Sequence, residues 1–152
     1  MTGEAINTFY PRIEILDNAY EIHQLGRTRR IAVLLPHNYY QTDKKYPVLY
    51  LHDGQNLFDE YAPYGNWGVD KSLEKLARSG FGDVIIVAID HGGVLRIQEY
   101  LPYSTPRYTE AEGHLYLKFM LEDLKPMIDN KYRVLRNREA TGIGGSSLGG
   151  LI

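Results

Sequence analysis

The sequence predicts an α/β fold built on a mostly parallel sheet. Segments typical of strands and helices alternate in the order strand, helix, buried strand, helix, strand. Residues 84–89 are six apolar residues without alternation, as expected of a strand covered on both faces. The last predicted strand, residues 139–145, runs directly into a glycine-rich turn at Ser147. Strands in this order are joined by helices and therefore lie parallel.

Three strand segments precede the first predicted helix. Residues 30–36 form a β-rich run that ends at a proline, and residues 46–52 resume as an apolar strand after a polar turn. Residues 12–16 alternate well enough to predict an edge strand, which gives the sheet an antiparallel N-terminal edge. The basic run at residues 27–30 is too short for a nucleic-acid patch, and we interpret it as the solvated start of a strand.

Two amphipathic helices are predicted in the second half of the chain. Asp70 is placed to cap the first and Gly80 to end it, while the second covers residues 112–132 and is bent or restarted at Pro126. The intervening residues 91–111 are predicted to be a long irregular connection, a feature that is usually functional. The apolar stripes are Leu73, Leu76 and Ala77 in the first helix, and Leu117, Met120, Leu121, Leu124 and Ile128 in the second.

Composition favours a single domain over residues 1–152, with residues 1–26 as its edge-strand region. The chain has 43% hydrophobic residues, and its 17 basic and 19 acidic residues give a net charge of −2. This mixture predicts neither a nucleic-acid partner nor a membrane partner. The sequence contains no cysteine, no apolar run near the ~18 residues that span a bilayer, and no secretory pattern after Met1. We therefore expect a cytoplasmic protein.

The five residues Gly145-Ser146-Ser147-Leu148-Gly149 have the pattern G-x-S-x-G and predict a serine nucleophile at Ser147. Small neighbours allow a strained backbone at which the serine hydroxyl points outward from the fold. A serine hydroxyl needs a base beside it and a third group that orients the base. In this arrangement the acid and the histidine follow the serine along the chain. We therefore expect that residues 149–152 do not supply them.

Acyl transfer also needs main-chain N–H donors aimed at the oxygen that becomes negative. The residue after the nucleophile, Leu148, supplies one of them. For the second, Gly54 allows a tight turn after the strand, so that the N–H of Gln55 points back to the site. The alternative is that Asp53-Gly54 is only a turn, and spacing alone does not decide between the two.

The ends of three predicted strands should share one rim of the sheet, where open α/β sheets bind ligands. These are residues 52–56, 90–93 and 147–149. Carboxylates and imidazoles on this rim leave open a metal-dependent hydrolase, although no fixed ligand spacing supports it. The ligands of such a metal site would be His52, Asp53, Asp90 and His91. The two histidines are also the candidates for a general base that would replace the missing one.

A catalytically silent ligand- or carbohydrate-binding fragment is a second alternative. The chain has 13 tyrosines, and their amphipathic rings suit binding clefts. Tyrosine is also common at the edge of a core, so no single ring predicts a cleft. The tyrosines that could line such a cleft include Tyr61, Tyr64, Tyr100, Tyr103 and Tyr108.

Four motifs in a fixed order carry a family resemblance. They are residues 47–59, Asn66-Trp67-Gly68, Arg96-x-x-Glu99-Tyr100-x-Pro102 and residues 142–150. From about Arg27 to its end the chain resembles the esterase branch of the α/β hydrolases, which includes enterochelin-esterase-like, feruloyl-esterase-like and antigen-85-like proteins. The resemblance implies Ser147 as the nucleophile, the N–H groups of Gln55 and Leu148 as the oxyanion hole, and Trp67 near the acyl or alcohol pocket. It implies a small-molecule ester substrate and no metal or organic cofactor.

The same resemblance implies an incomplete α/β-hydrolase fold that ends just after the nucleophile turn. The acid, the histidine and the last sheet strands of the family have no counterpart in these 152 residues. We expect a fragment, a truncated product or half of a split protein that is inactive as an isolated chain. Its exposed sheet edge would associate with a complementing chain or with a second copy.

Overall fold

A computed structural model of the chain describes residues 9–59, 62 and 65–152. Residues 1–8 of the predicted edge region, Tyr61 and Tyr64 lie outside the described residues. Within them, five strands form one mixed sheet: β1 (Arg12–Ile22), β2 (Arg27–Leu35), β3 (Val48–His52), β4 (Ile85–Ile89) and β5 (Thr141–Gly144). Their order across the sheet is β1-β2-β4-β3-β5. β3 pairs in parallel with β4 and β5, whereas β1 and β2 form the predicted antiparallel edge.

Helices lie in the connections from β3 to β4 and from β4 to β5, and one more follows β5. They are α1 (Gln55–Phe58), α2 (Val69–Arg78), α3 (Arg96–Tyr100), α4 (Gly113–Phe119), α5 (Lys125–Lys131) and α6 (Leu148–Leu151). A π-helical turn, Met120–Leu124, joins α4 to α5 without a break, and Pro126 lies in the first turn of α5, where it has no N–H to donate to the preceding turn. None of the helices in the described part of the chain is long and apolar enough to cross a membrane.

Both faces of the sheet are covered near its centre, which explains the unbroken apolar run in β4. All five β4 residues are buried. One face packs on Tyr116 and Phe119 of α4 and on Ile128 of α5, and the other packs on Leu57 of α1 and Leu73 of α2. The sheet is therefore held rigid beneath the carboxyl ends of its parallel strands.

Two details of the predicted helices are wrong. Asp70 does not cap α2: the helix starts after Gly68, whose φ is 63°, and Asp70 is buried with the Tyr10 hydroxyl donating to it. Leu76 and Leu121 are 46% and 68% exposed, although both were placed on apolar stripes. For Leu121 the reason is the π-helical turn, which departs from the 3.6-residue period that the stripe assumes.

The basic run at residues 27–30 starts a strand as predicted, but Arg29 within it is buried instead of solvated. Arg29 is 6% exposed and donates two hydrogen bonds to Glu99, of 2.8 and 2.7 Å. Arg27 lies 3.3 Å from the same carboxylate, and Glu99 is fully buried in α3. The connection over residues 91–111 is thus anchored to β2 and contains a helix, rather than being irregular throughout.

Candidate active site

Ser147 lies where β5 ends and α6 begins. Its φ of 56° and ψ of −122° form a conformation that costs an L-residue about 1–3 kcal/mol. Among the described non-glycine residues, only Asp53 shares a positive φ. A Cβ on Gly145 would lie 2.2 Å from the carbonyl oxygen of Gly149, so the turn closes only with glycine there. The sharp strand-to-helix turn is present at the predicted position.

Ser147 lines a cavity of about 510 Å³ beside the carboxyl ends of β3 and β5. Its walls combine exposed apolar side chains with buried polar ones. Val94 is 99% exposed and Trp67 is 47% exposed, so the cavity opens to solvent between apolar groups. Other residues that line it are Asp53, Asn56, Arg96, Ile97 and Ser146.

The two N–H groups predicted as oxyanion donors each begin a short helix. Gln55 is the first residue of α1, and Leu148 is the first residue of α6. N–H groups in the first turn of a helix have no acceptor within that helix. No main-chain acceptor in the described residues takes either N–H. Because β3 and β5 pair in parallel, both donors start at neighbouring strand ends.

The loop that carries Gln55 is fixed to the end of β4. The Gln55 side chain donates from Nε2 to the carbonyl of His91 at 3.1 Å and accepts the N–H of His91 at Oε1, 2.9 Å away. The N–H of Gly54 donates to the carbonyl of Ile89 at 2.9 Å. Three bonds therefore hold the main chain of this loop in place.

The tight turn after β3 falls on Asp53, not on Gly54 as predicted. Asp53 has a φ of 56°, whereas Gly54 has an ordinary helical φ of −51°. Gly54 is required for a different reason, because a Cβ there would lie 2.6 Å from Oδ1 of Asp90. Glycine at this position permits close approach of two loops rather than an unusual backbone angle.

An ion pair between the buried Asp53 and the half-buried Arg96 lies in the wall of the Ser147 cavity. Arg96 donates from Nε and Nη2 to the two carboxylate oxygens at 2.7 and 2.8 Å, and the Asp53 side chain is 4% exposed. The guanidinium also lies over the Tyr100 ring, 5.3 Å from its centroid. Sequence analysis placed Arg96 in a motif but missed its partner.

Asn56 is a further polar group of this wall that sequence analysis missed. It is 6% exposed, and its Oδ1 is buried without a hydrogen-bond donor among the described residues. Its carbonyl accepts the N–H of Trp67 at 2.8 Å, which fixes the loop that carries the indole. The only sequence signal was its place directly after Gln55 at a strand end.

All five histidines lie within the described residues, and none of them lines the Ser147 cavity. His52 is 1% exposed, and its Nδ1 lies 2.8 Å from the Tyr116 hydroxyl. Burial lowers the pKa of His52 to about 4, so the ring is neutral at pH 7. His91 accepts the N–H of Gly93 at Nδ1, and burial lowers its pKa as well. The geometry does not bring either rim histidine to Ser147 as a replacement base.

The rim does not form the alternative metal site. Its two carboxylates are paired with arginines: Asp53 with Arg96, and Asp90 with Arg30 at 2.9 and 3.1 Å. Among the described residues, no group of three potential ligands converges. The metal-dependent reading of His52/Asp53 and Asp90/His91 therefore disagrees with the geometry.

The tyrosine-lined cleft is likewise not found where the structure is described. Tyr100 is fully buried, Tyr103 is 79% exposed, and neither they nor Tyr108 line the cavity. Tyr61 and Tyr64 lie outside the described residues. The aromatic side chain that does line the cavity is that of Trp67, and its predicted role near an acyl or alcohol pocket stays a prediction.

Comparison with known proteins gives a family match and several similar proteins. Residues 22–152 match the family model described as "Putative esterase". The uncharacterized protein YbbA of Bacillus subtilis (strain 168) is 26% identical over 136 residues, which cover 86% of this chain and 50% of YbbA. The chain thus spans about half the length of this curated relative.

Two solved hydrolase structures are also similar. An IroE-like serine hydrolase from Shewanella oneidensis is 26% identical with a TM-score of 0.69, over 93% of this chain and 44% of that one. A ferulic acid esterase is 28% identical with a TM-score of 0.67, over 93% of this chain and 50% of the other.

Proposed function

Because this chain belongs to the "Putative esterase" family and has an α/β-hydrolase fold, we propose that it carries the nucleophile and the oxyanion hole of a serine esterase. The substrate is a small-molecule carboxylic ester. The observation that supports this proposal best is the strained Ser147 turn, which lines an open cavity. The N–H groups of Leu148 and Gln55 support it further, since both lack a main-chain acceptor among the described residues.

In the proposed reaction, the Ser147 hydroxyl oxygen attacks the carbonyl carbon of the ester while its proton passes to a base. The carbonyl oxygen becomes an oxyanion that accepts hydrogen bonds from the N–H groups of Gln55 and Leu148. Collapse of this intermediate breaks the bond to the alcohol, which leaves with a proton. Water then hydrolyses the acyl-enzyme by the same route. These steps require neither a metal ion nor an organic cofactor.

We assign the general base to a residue outside these 152. The support is that all five histidines are accounted for and none lines the cavity of Ser147. The isolated 152-residue chain should therefore hydrolyse esters only weakly. An oxyanion hole and substrate binding alone leave a residual rate about 10³–10⁴ times that in water.

The walls of the cavity favour a neutral substrate. The charges of Asp53 and Arg96 offset each other, which leaves the Asn56 amide as an uncharged polar contact. We propose that Trp67 packs against an apolar part of the substrate and that Asn56 bonds to a polar one. Val94 and Ile97 would provide the facing apolar wall.

We also propose that the edge of β5 pairs with a further polypeptide segment. Among the described residues β5 pairs only with β3, and Ile143 on it is 55% exposed. A mostly apolar groove of about 180 Å³ runs beside it, between Ile143 and Leu121. Light scattering on the 152-residue chain should show association. A monomer that binds no hydrophobic dye would contradict this proposal.

The nucleophile is tested by labelling with a fluorophosphonate, which phosphonylates activated serines with loss of fluoride. In the natural polypeptide that carries these residues, the label should fall on Ser147 and be absent from Ser147→Ala. Ser146→Ala is the matched control, because Ser146 lines the same cavity but has no positive φ. Labelling that persists in Ser147→Ala would refute the assignment.

A further inference from the structure

The two strained non-glycine residues of the described chain belong to neighbouring strand ends. Asp53 follows β3 and Ser147 follows β5, and both have a φ of 56°. The two residues line the same cavity, and their strands pair in parallel. A strained backbone persists only when its surroundings fix it. Contacts around Ser147 therefore have to hold its backbone in place.

On the C-terminal side of Ser147, the Asp53 carboxylate packs against the first turn of α6. A Cβ added to Gly149 would lie 3.1 Å from Oδ2 of Asp53 and 3.3 Å from Cβ of His52. Gly149 therefore packs closely on Asp53. This contact restricts movement of α6 toward β3.

On the N-terminal side, Arg96 reaches the residue before the nucleophile. Its Nη2 donates to the Ser146 carbonyl at 3.4 Å while also binding Oδ2 of Asp53 at 2.8 Å. The guanidinium is held by a bidentate contact with Asp53 and by the Tyr100 ring below it. One ion pair thus contacts the turn on both sides of Ser147, at Ser146 through Arg96 and at Gly149, two residues after Ser147, through Asp53.

We propose that Asp53 and Arg96 are positioning residues that hold the Ser147 turn in its reactive backbone conformation. This inference rests on the proposed function, since it assigns a partner to the same nucleophile. The pair does not need to touch the substrate. It acts by fixing the direction of the hydroxyl, and misplacement of a reacting group by about 1 Å can cost about 100-fold in rate.

The forked guanidinium is essential to this role. A lysine would keep the charge but could not bind both carboxylate oxygens and the Ser146 carbonyl in a fixed plane. Asp53→Asn keeps the shape of the side chain against Gly149 while removing the charge that orients Arg96. Arg96→Lys therefore removes the fork but keeps a positive charge, and Asp53→Asn weakens the hold on Arg96 but keeps a side chain of the same size.

Arg133 provides a matched control at the opposite end of β3. It is also half-buried, it binds the Lys44 carbonyl at 2.6 Å, and it lies 4.1 Å from the centroid of the Tyr39 ring. Arg133→Lys therefore removes the forked contacts of a half-buried arginine far from Ser147, where the guanidinium bonds to the carbonyls of Lys44 and Tyr39 instead of to a carboxylate. This variant shows how much the loss of such an arginine lowers the unfolding midpoint when the Ser147 turn is not involved.

The experiment measures the rate of fluorophosphonate labelling, kcat and KM for p-nitrophenyl acetate, and the unfolding midpoint in the natural polypeptide. Arg96→Lys should slow labelling and lower kcat about 10- to 100-fold, with KM within about threefold of the wild type. Arg133→Lys should lower the unfolding midpoint to a similar extent and leave the labelling rate within about twofold. Asp53→Asn should change the labelling rate, kcat and KM in the same way as Arg96→Lys. It tests the positioning role if Arg96→Lys does not fold.

Equal labelling rates in Arg96→Lys and Arg133→Lys, with Ser147→Ala unlabelled, would overturn the positioning role alone. Labelling of Ser147→Ala at the wild-type rate would overturn the proposed function and this inference with it. A rise in KM without a fall in kcat would also overturn positioning, because it would place Arg96 in substrate binding.

Discussion

The two ends of the parallel strands differ in how completely their polar groups are satisfied. At the amino end, Tyr46 exchanges main-chain bonds with Arg133 and Leu135 at 3.0 and 2.8 Å, and its hydroxyl lies 2.6 Å from that of Thr42. At the carboxyl end, β3 and β5 lead into residues with a positive φ and into N–H groups without main-chain acceptors among the described residues. The contacts at the amino end stabilise the sheet. The residues with a positive φ at the carboxyl end lower the stability of the fold, because each strained backbone conformation costs free energy.

This contrast supports placing the proposed site at the carboxyl ends of the parallel strands. Open sheets bind ligands beyond the carboxyl ends of their strands, where helix N-termini present free N–H groups. Strain there is tolerated because β4 is buried on both faces and fixes the strands beneath. Substitutions at the two ends should therefore separate activity from stability.

The largest effect is expected at Ser147. Ser147→Gly removes the proposed nucleophile and should lower kcat/KM of the natural polypeptide by about 10⁴-fold or more. It also relieves the positive φ and should raise the free energy of unfolding by about 1 kcal/mol. Ester hydrolysis measures the change in kcat/KM, and denaturant unfolding measures the change in the free energy of unfolding. A variant that is both inactive and less stable would contradict the strain argument.

The opposite behaviour is expected at Tyr46. This side chain is 1% exposed, so Tyr46→Leu should lower the free energy of unfolding by about 2–4 kcal/mol through a cavity and a lost hydrogen bond. The rate of Ser147 labelling per folded molecule should stay within about twofold. Tyr103→Leu, at a residue that is 79% exposed, is the control and should change stability little. Slower labelling in Tyr46→Leu would show that the two ends are coupled.

A pH dependence is expected from His52, which lies beneath the site. Burial holds its pKa at about 4 in the folded state, whereas the unfolded value is 6.5. Between these values the unfolded chain binds a proton that the folded chain does not bind. The stability is therefore complete above about pH 6.5 and falls by about 3 kcal/mol as the pH drops to 4.

Unfolding free energies at pH 7 and pH 4.5 test this dependence. His52→Phe should flatten the decline, although it lowers stability at pH 7 by removing the bond to Tyr116. His114→Phe, at an exposed position of α4, should leave the decline unchanged. An equally steep decline in wild type and His52→Phe would assign the effect to other groups.

The smallest effect is expected at Trp67 in the cavity wall. Trp67→Leu should raise KM about three- to tenfold and leave kcat nearly unchanged, since it removes binding common to the ground state and the transition state. Phe81→Leu is the control, because Phe81 is 69% exposed and precedes β4 at the other end of the sheet. Equal KM values in the two variants would show that Trp67 does not contribute to substrate binding.

Most strands and the sharp turn at Ser147 were predictable because they depend on neighbouring residues. The unbroken apolar run of β4 and the glycines on both sides of Ser147 are local signals of burial and of close approach. The cap at Asp70 and the exposure of Leu121 were mispredicted, since an αL glycine and a π-helical turn changed the local geometry. The role of Ser147 as a nucleophile stays a prediction.

The sequence by itself determined the order of the elements, the buried strand and the position of the strained turn, because periodicity and glycine sterics act over a few residues. Only the tertiary structure decided which charges pair. Arg29 meets Glu99 across 70 residues and Arg96 meets Asp53 across 43, and both pairs depend on the order of the strands. The same order buries His52 against Tyr116 and places Asn56 in the wall of the cavity. Such contacts arise from chain segments brought together in space, and no local pattern encodes them.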